Sequence, residues 1–298
     1  MINFIKKRRL WYSISLTIIT IGLIFMVKNY QSMNHIFNLG IDFTGGTSIT
    51  LRFNTSLENI ETKLRENLIA VGLEKHSVQS SGLNDYIIKT EEMDVNKRNQ
   101  LFQLIETNIA SFDTLEVDII GPSIGDELRR TSFFIIIAVS IAILIYCSWR
   151  FELIYGLAAI IALLHDALIL ITVTAIFKFE VNTAYVAALL TVLGYSINDT
   201  IVIFDRIREH IKKTDDAPTE FSKSLVNTAV NDMVPRSIHT TITTSLVVIS
   251  IFLFGGLSLH LFASVLLVGL LTGTYSSLFI ASPMILTISK AKGNPIVQ

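Results

Sequence analysis

Six long apolar runs constrain the fold of this chain more than any other feature of its sequence. They cover residues 10–27, 131–148, 153–177, 183–204, 240–254 and 260–288. A bilayer-spanning helix needs about 20 largely apolar residues, and the fifth run reaches that length only if it continues through Gly255 and Gly256. Charged residues make up 16% of the chain, against about 25% in soluble domains. The sequence therefore predicts a polytopic α-helical membrane protein with six transmembrane helices.

The distribution of Lys and Arg predicts the orientation of these helices. With the amino terminus inside, 13 Lys and Arg residues fall in cytoplasmic segments, and the two short loops on the opposite side carry only Lys178. Cytoplasmic loops are enriched in Lys and Arg, so both termini are expected in the cytoplasm. A signal peptide is the alternative for the first run. That run is longer than the usual apolar region of a signal peptide and lacks a small-residue cleavage site, so we interpret it as a retained helix.

The polar interval between the first two runs predicts a small domain on the outer side of the membrane. Its predicted strands lie at 48–53, 77–79, 86–89 and 115–120, the first showing the alternation typical of a half-buried strand. One helix is expected through Ile60 and Leu64, and another begins at a cap, Asp94. The order β-α-β-β-α-β predicts an α+β, ferredoxin-like domain between helices 1 and 2.

These features divide the chain into four parts. They are the amino terminus and helix 1 at 1–28, the extracytoplasmic domain at 29–130, helices 2–6 at 131–289 with a cytoplasmic loop at 205–238, and a cytoplasmic tail at 290–298. The net charge is −1 and no basic, aromatic-rich cluster occurs, so no nucleic-acid partner is predicted. Cys147 is the only cysteine, which excludes an intrachain disulfide.

Asp199 is the polar residue in the apolar runs that most strongly suggests a function. It follows Asn198 in the fourth run, where a charged side chain costs roughly 2.5–3.5 kcal/mol on insertion scales. Arg236 precedes the fifth run, and a cation near a buried carboxylate favours its charged form. We therefore predict a proton relay of Asp199, Arg236 and Asn198. The alternative is that Asp199 only caps or cross-links helices.

Other polar and small residues in the runs have weaker interpretations. The secondary polar residues are His165, Asp166, Thr240, Thr243 and Thr244. His165 and Asp166 are equally consistent with a structural pair, and the threonines are expected to hydrogen-bond a neighbouring helix or water. Gly269 and Gly273 form a GxxxG pattern that predicts close helix packing.

A glycine-rich segment follows the first run. Gly40, Asp42, Gly45 and Gly46 lie in the sequence GIDFTGGT, which predicts special backbone angles or close backbone approach. No Gly-Lys-Ser/Thr follows, so it is not a nucleotide-binding loop. We interpret it as a tight connection into the first strand, and the sequence predicts neither a cofactor nor a metal site.

Four segments together resemble the SecD/SecF family of protein-export membrane proteins, which is similar to the resistance-nodulation-division transporters. They are residues 40–47, residues 164–166, the sequence GYSINDTIVIFDRIRE at 194–209 and the glycine pair at 255–256. The resemblance covers nearly the whole chain. One local departure is the sequence Met-Val-Pro-Arg-Ser around Arg236, where the family usually has Leu-Ser-Arg-Thr.

The resemblance implies a non-enzymatic subunit of the Sec protein-export machinery in the bacterial inner membrane. It implies pairing with SecD, use of the proton motive force in late translocation, and roles in proton passage for Asp199 and Arg236. Other implied partners are the SecYEG translocon with YajC and YidC, the translocating polypeptide and membrane lipids. Whether the coupling ion is a proton or sodium stays open.

Three other interpretations remain. The first is a related exporter half-subunit for lipids or small hydrophobic molecules, and the second is a passive scaffold for SecD. The third is an intramembrane aspartyl protease using Asp166 and Asp199, which requires two carboxylates about 3 Å apart.

Overall fold

The computed structural model describes residues 2–33, 35–54, 59–80, 84–150, 153–213 and 222–291. In chain order the elements are α1 Arg8–Met33, β1 Asn38–Leu39, α2 Ile41–Thr44, β2 Gly46–Phe53, α3 Ile60–Ala70, β3 His76–Ser80, β4 Asp85–Thr90, α4 Val95–Asn108, β5 Phe112–Ile120, α5 Pro122–Arg150, α6 Leu153–Phe177, β6 Glu180–Val181, α7 Thr183–Lys213, α8 Lys223–Phe254, α9 Leu257–Ser276, a π-helical turn Ser277–Ala281, and α10 Ser282–Ala291.

Six helical segments within the described residues are long and apolar enough to cross a membrane. They are α1, α5, α6, α7, α8, and a last segment formed by α9, the π-helical turn and α10. The predicted number of spanning helices is therefore confirmed. The expectation that the fifth run gains length through Gly255 was wrong, because α8 ends at Phe254 and instead begins 17 residues before Thr240, at Lys223.

The chain forms two compact units, one of residues 1–38 and 135–298 and the other of residues 39–134. In the helical unit, α6, α7 and the last spanning segment are the most buried of the spanning helices. A Cβ added to Gly22 on α1 would lie 2.2 Å from Thr172 Oγ1 on α6, so glycine is what allows these two helices to approach closely. The buried polar residues His165 and Asp166 lie on one of the three most buried spans, α6.

The second unit is a four-stranded antiparallel sheet with the order β3-β4-β2-β5. The two helices between the strands, α3 and α4, contribute Leu64 and Leu101 to a fully buried core with Ile49, Leu51 and Ile88. The four predicted strands are present with slightly wider bounds. The Asp94 side chain accepts a 2.7 Å hydrogen bond from the Lys97 backbone N–H, which caps α4.

An ion pair links the two central strands of this sheet. Arg52 Nε and Nη2 donate to the two carboxylate oxygens of Asp85 at 2.7 and 2.8 Å. The Arg52 guanidinium lowers the pKa of the Asp85 carboxyl below its usual range, so Asp85 stays ionised at neutral pH. Because the bridge is bidentate, it fixes the pairing between β2 and β4 at this point.

The glycine-rich segment is shaped by close backbone approach. Gly40 precedes α2, Asp42 lies in its first turn, and Gly45 and Gly46 follow with φ of 69° and 126°. A Cβ at Gly46 would lie 2.3 Å from the Thr90 carbonyl oxygen. A Cβ at Gly45 would lie 2.9 Å from Cα of the proline that begins α5. Only glycine meets both the backbone and the space requirements here.

Candidate functional site

Asp199 lies on α7 at its contact with α8. Its Oδ1 accepts a 2.8 Å hydrogen bond from Ser237 Oγ on α8. Its Oδ2 is buried and has no hydrogen-bond partner among the residues that the structure describes. One oxygen of this carboxyl group is therefore hydrogen-bonded to the neighbouring helix, while the other is shielded from solvent.

Arg236 lies next to Ser237 on α8, but its side chain is exposed. Among the described residues it forms no ion pair with Asp199 within 4.0 Å, although it is close enough to act on Asp199 electrostatically. It lines a cleft of about 390 Å³ together with Asp205, Arg206, Glu209, Asp232 and two apolar residues. Arg236, the predicted partner of Asp199, therefore lines a charged cleft.

Ion pairs organise the wall of this cleft. Arg206 contacts Asp232 and Glu209, each at 2.8 Å. His210 Nε2 lies 3.0 Å from the same oxygen of Asp232. Arg206 shares a helix face with Asp199, but its guanidinium pairs with acidic residues in the cleft. These are Glu209, one turn further along α7, and Asp232 on α8. Charged groups therefore extend from the Asp199 region to the surface of the helical unit.

Asp166 is the centre of a buried hydrogen-bond network. It is fully buried, and its Oδ2 accepts from Ser196 Oγ at 2.5 Å and from Ser276 Oγ at 2.8 Å. His165 Nδ1 lies 3.1 Å from Asp166 Oδ1, and His165 Nε2 lies 2.9 Å from Ser15 Oγ. These bonds join α1, α6, α7 and α9, so Asp166 cross-links the most buried helices.

Hydroxyl groups lie between the two aspartates. Ser277, the first residue of the π-helical turn, is 2.8 Å from Thr200 on α7 and 3.4 Å from the Ser196 carbonyl oxygen. Ser196 and Thr200 flank Asp199 in sequence. The row of hydroxyl groups formed by Ser196, Thr200 and Ser277, here called the hydroxyl seam, therefore begins beside Asp199. Asp166 and Asp199 are not hydrogen-bonded to each other. Asp166 accepts from Ser196 and Ser276, and Asp199 accepts from Ser237. A π-helical turn at a polar site is a frequent feature of functional sites.

Several predicted residues lie away from these networks. Asn198 is exposed, and so are Thr240 and Thr243. The hydroxyls of Thr240, Thr243 and Thr244 donate to carbonyls of their own helix. The expected contacts with a neighbouring helix are made instead by Thr241, which lies 2.5 Å from Thr274 on α9. The sequence pattern did not identify the contacting face because threonines occur at four of the five positions 240–244 and so point in several directions around the helix.

The structure adds serines that sequence reasoning missed. They are Ser15, Ser196, Ser237, Ser276 and Ser277. Ser196 had a local signal, since it lies one helical turn before Asp199. The others come from distant parts of the chain, and a lone serine in an apolar run carries no indication of its partner.

Gly269 and Gly273 lie where α9 packs on α7. A Cβ at Gly269 would lie 2.0 Å from Val192 Cγ2 and 2.8 Å from Val192 Cβ. A Cβ at Gly273 would lie 3.0 Å from Ser196 Cβ. Helices α7 and α9 therefore approach each other closely at these two glycines of α9.

Replacing Gly269 with alanine is expected to destabilise the helical unit by about 1–3 kcal/mol, the usual cost of overpacking. Val192 is buried and β-branched, so its side chain has few alternative rotamers and cannot move its Cβ away. The thermal unfolding midpoint of the purified chain would measure the loss. Gly194→Ala is the matched control, because no other described residue, apart from the adjacent backbone of its own helix, comes within 4 Å of its added Cβ. An equal loss in both variants would contradict the steric explanation.

A family model described as protein export membrane protein SecD/SecF, C-terminal, matches residues 101–291, and one described as SecD/SecF GG motif matches residues 37–56. The chain belongs to the SecF family of protein-export membrane proteins. The glycine-rich segment and the helices of the candidate site thus fall within matched regions.

Relatives of known name agree with this family. Protein translocase subunit SecF of Sebaldella termitidis is 38% identical over 87% of this chain and 84% of the relative. The SecF subunit of Haemophilus influenzae is 35% identical over 94% of this chain and 83% of the relative. The crystal structure of SecDF, a translocon-associated membrane protein from Thermus thermophilus, superposes with a TM-score of 0.85 at 31% identity. The alignment covers 97% of this chain but only 39% of that longer one.

Proposed function

We propose that this chain pairs with SecD and uses the proton motive force to assist the late translocation of polypeptides across the bacterial inner membrane. As a SecF-family protein it is a subunit of the Sec protein-export machinery. The solved relative is a SecDF chain of which this protein matches 39%. We assign the remainder of that assembly to SecD, with SecYEG, YajC and YidC as further partners.

The observation that carries the proposal is the asymmetric environment of Asp199. Its Oδ1 accepts a hydrogen bond from Ser237 on α8, whereas its Oδ2 is buried and has no hydrogen-bond partner in the part of the chain that the structure describes. Binding a proton at Oδ2 removes the charge and turns an acceptor into a donor. Either change alters the balance of forces between α7 and α8, which makes a local protonation a conformational signal.

The magnitudes are sufficient for coupling. Moving one charge through 100 mV supplies about 2.3 kcal/mol. A coupling free energy of ~1–3 kcal/mol between two sites is typical. One protonation cycle at Asp199 therefore carries enough free energy to shift a two-state equilibrium of the helices.

The charged cleft supports a route for the proton on one side of Asp199. It is lined by Arg236 and the ion-paired groups of Arg206 and Asp232, and polar walls of this kind hold water. The hydroxyl seam through Thr200 and Ser277 extends from Asp199 towards Asp166. Asn198 belongs to neither side, and we assign it no direct part in the relay.

The second unit supports the remaining assignments. We propose that residues 39–134 form a ferredoxin-like extracytoplasmic domain, since the strand order β3-β4-β2-β5 is that expected for a split β-α-β arrangement. The excess of Lys and Arg on one side favours cytoplasmic termini. Movement of this domain, coupled to the Asp199 cycle, would act on the translocating polypeptide.

The competing functions have less support. The relatives are named protein translocase subunits, which favours protein export over export of small molecules and over an enzymatic role. The protease interpretation needs two carboxylates sharing a proton, whereas Asp166 and Asp199 have separate hydrogen-bond partners. A passive scaffold would not explain why Asp199 Oδ2 is buried with no hydrogen-bond partner among the described residues.

The proposal is tested in vesicles that contain this chain, SecD and SecYEG, loaded with a polypeptide arrested late in translocation. We expect an imposed pH gradient to accelerate completion of export, and an imposed sodium gradient alone to have no effect. Completion rates that ignore both gradients would favour the scaffold. A response to sodium alone would replace the proton by sodium as the coupling ion.

A further inference from the structure

The amino-terminal segment is fixed against the beginning of α8. The Phe4 backbone N–H donates to Asn227 Oδ1 and the Ile2 N–H donates to Asn231 Oδ1, both at 2.9 Å. Asn231 Nδ2 returns a 2.8 Å bond to the Ile2 carbonyl. Phe4 is fully buried, with its ring 5.0 Å from that of Phe279. The segment before α1 is therefore a built part of the helical unit.

A cavity of about 770 Å³ opens between this segment and α8. Among the residues that the structure describes, those that line it are Asn3, Ile5, Lys6, Arg8, Arg9, Lys223, Ser224, Asn227 and Thr228. Four of them are cations and none is acidic. Three of the cations come from the amino-terminal segment and the start of α1, and the fourth, Lys223, comes from the first turn of α8.

The four cations have no acidic partner in the part of the chain that the structure describes. No ion pair within 4.0 Å involves Lys6, Arg8, Arg9 or Lys223 there, whereas Arg206 nearby on α7 contacts two carboxylates. Like charges held around one cavity repel each other, and an anion between them removes that cost. Hydroxyl and amide groups of Ser224, Thr228 and Asn227 add hydrogen-bonding capacity.

The membrane-spanning part of α1, which follows the cavity-lining Arg8 and Arg9 directly in sequence, is apolar and exposed on one face. Leu10, Ile14 and Ile18 recur every four residues on one helix face, and they are 50%, 39% and 39% exposed. A ligand with an anionic head and a hydrocarbon tail matches a basic cavity followed by an exposed apolar helix face. A soluble anion would leave the apolar face unused.

We propose that this cavity binds the phosphate headgroup of an anionic phospholipid, with an acyl chain lying along α1. Basic pockets where helices meet the membrane surface hold anionic headgroups through such clusters. The site is separate from the Asp199 site and does not depend on proton coupling.

The test is binding of phosphatidylglycerol to the purified full chain in detergent, counted by native mass spectrometry over a range of lipid concentrations. We expect phosphatidylglycerol to bind at least tenfold more tightly than phosphatidylcholine. Lys6→Gln and Lys223→Gln are each expected to weaken its binding about fivefold, the effect of one cation near an anionic headgroup. Equal loss from these two variants would show that both walls of the cavity contribute.

Lys7→Gln is the matched control, because Lys7 is an exposed neighbour that does not line the cavity. We expect less than a twofold change for it. A loss equal to that of Lys6→Gln would show diffuse attraction to positive charge and overturn the proposal. Equal binding of phosphatidylcholine would also overturn it. Displacement of the lipid by millimolar glycerol 3-phosphate would identify a soluble phosphate ligand and overturn the assignment to lipid.

Discussion

Replacing Asp199 by asparagine is expected to slow gradient-driven completion of export about 5- to 150-fold, the range set by a coupling free energy of ~1–3 kcal/mol. The amide keeps the shape of the carboxyl group, and its oxygen still accepts from Ser237, so the contact between α7 and α8 is preserved. It cannot bind and release a proton at the buried Oδ2 position. The measurement is the rate of completion in vesicles with a pH gradient, together with recovery of the complex with SecD.

Asn198→Ala is the control for this prediction. Asn198 is adjacent in sequence but exposed, whereas the hydrogen bond to Asp199 comes from Ser237. We expect its export rate to stay within twofold of the unmodified chain. An unchanged rate for the Asp199 variant, with the complex intact, would contradict proton coupling at this residue and favour the scaffold. Equal slowing by the Asn198 variant would show that the effect does not depend on protonation.

Replacing Asp166 by alanine is expected to destabilise the helical unit by about 3–5 kcal/mol, the cost of removing one partner from a buried charged network. Ser196, Ser276 and His165 would each lose the oxygen that they contact inside the helix bundle. An unsatisfied buried polar group costs about 1–3 kcal/mol, and Ser276 keeps a second acceptor in the Gly273 carbonyl, so the losses at Ser196 and His165 give a total of the same order. Thermal unfolding of the purified chain measures the change.

Two further variants separate this network from a general effect of removing an aspartate. Asp166→Asn keeps the volume and one acceptor oxygen, so its loss should be smaller than that of the alanine variant. Asp126→Ala removes an exposed carboxylate that pairs with a neighbouring exposed arginine in the same helix, and such pairs contribute little. If the Asp166 and Asp126 variants unfolded at the same temperature, the cross-linking role of Asp166 would be wrong.

Local, periodic signals explain why much of the architecture was predictable. Apolar runs of spanning length identify membrane helices because the bilayer sets their length and composition. Alternation at 48–53 identified β2, and Asp94 marked the start of α4 as predicted. Asp199 stood out because a carboxylate is rare among apolar residues. The bounds of α8 were missed because its first half is polar, so hydropathy alone does not distinguish it from a loop.

The partners of the polar residues were less predictable. Sequence reasoning named Arg236 as the charged partner of Asp199 but did not identify Ser237, which makes the hydrogen bond, while Arg236 lines the neighbouring cleft. On an α-helix adjacent residues differ by about 100° in direction, so a shift of one position exchanges a buried contact for an exposed one. That rotation depends on how α8 packs against α7, which no local pattern records.

The sequence by itself determined the number of spanning helices, the existence of a separate α+β unit and the position of the rare carboxylates in the apolar runs. These properties follow from composition and short-range periodicity, which can be read from each segment alone without knowing which segments it contacts. Only the tertiary structure decided that Asp166 joins α6, α7 and α9 and that the amino-terminal segment closes a basic cavity on α8. Such contacts join residues 30 to more than 200 positions apart, and they form only when packing sets the rotation and depth of each helix.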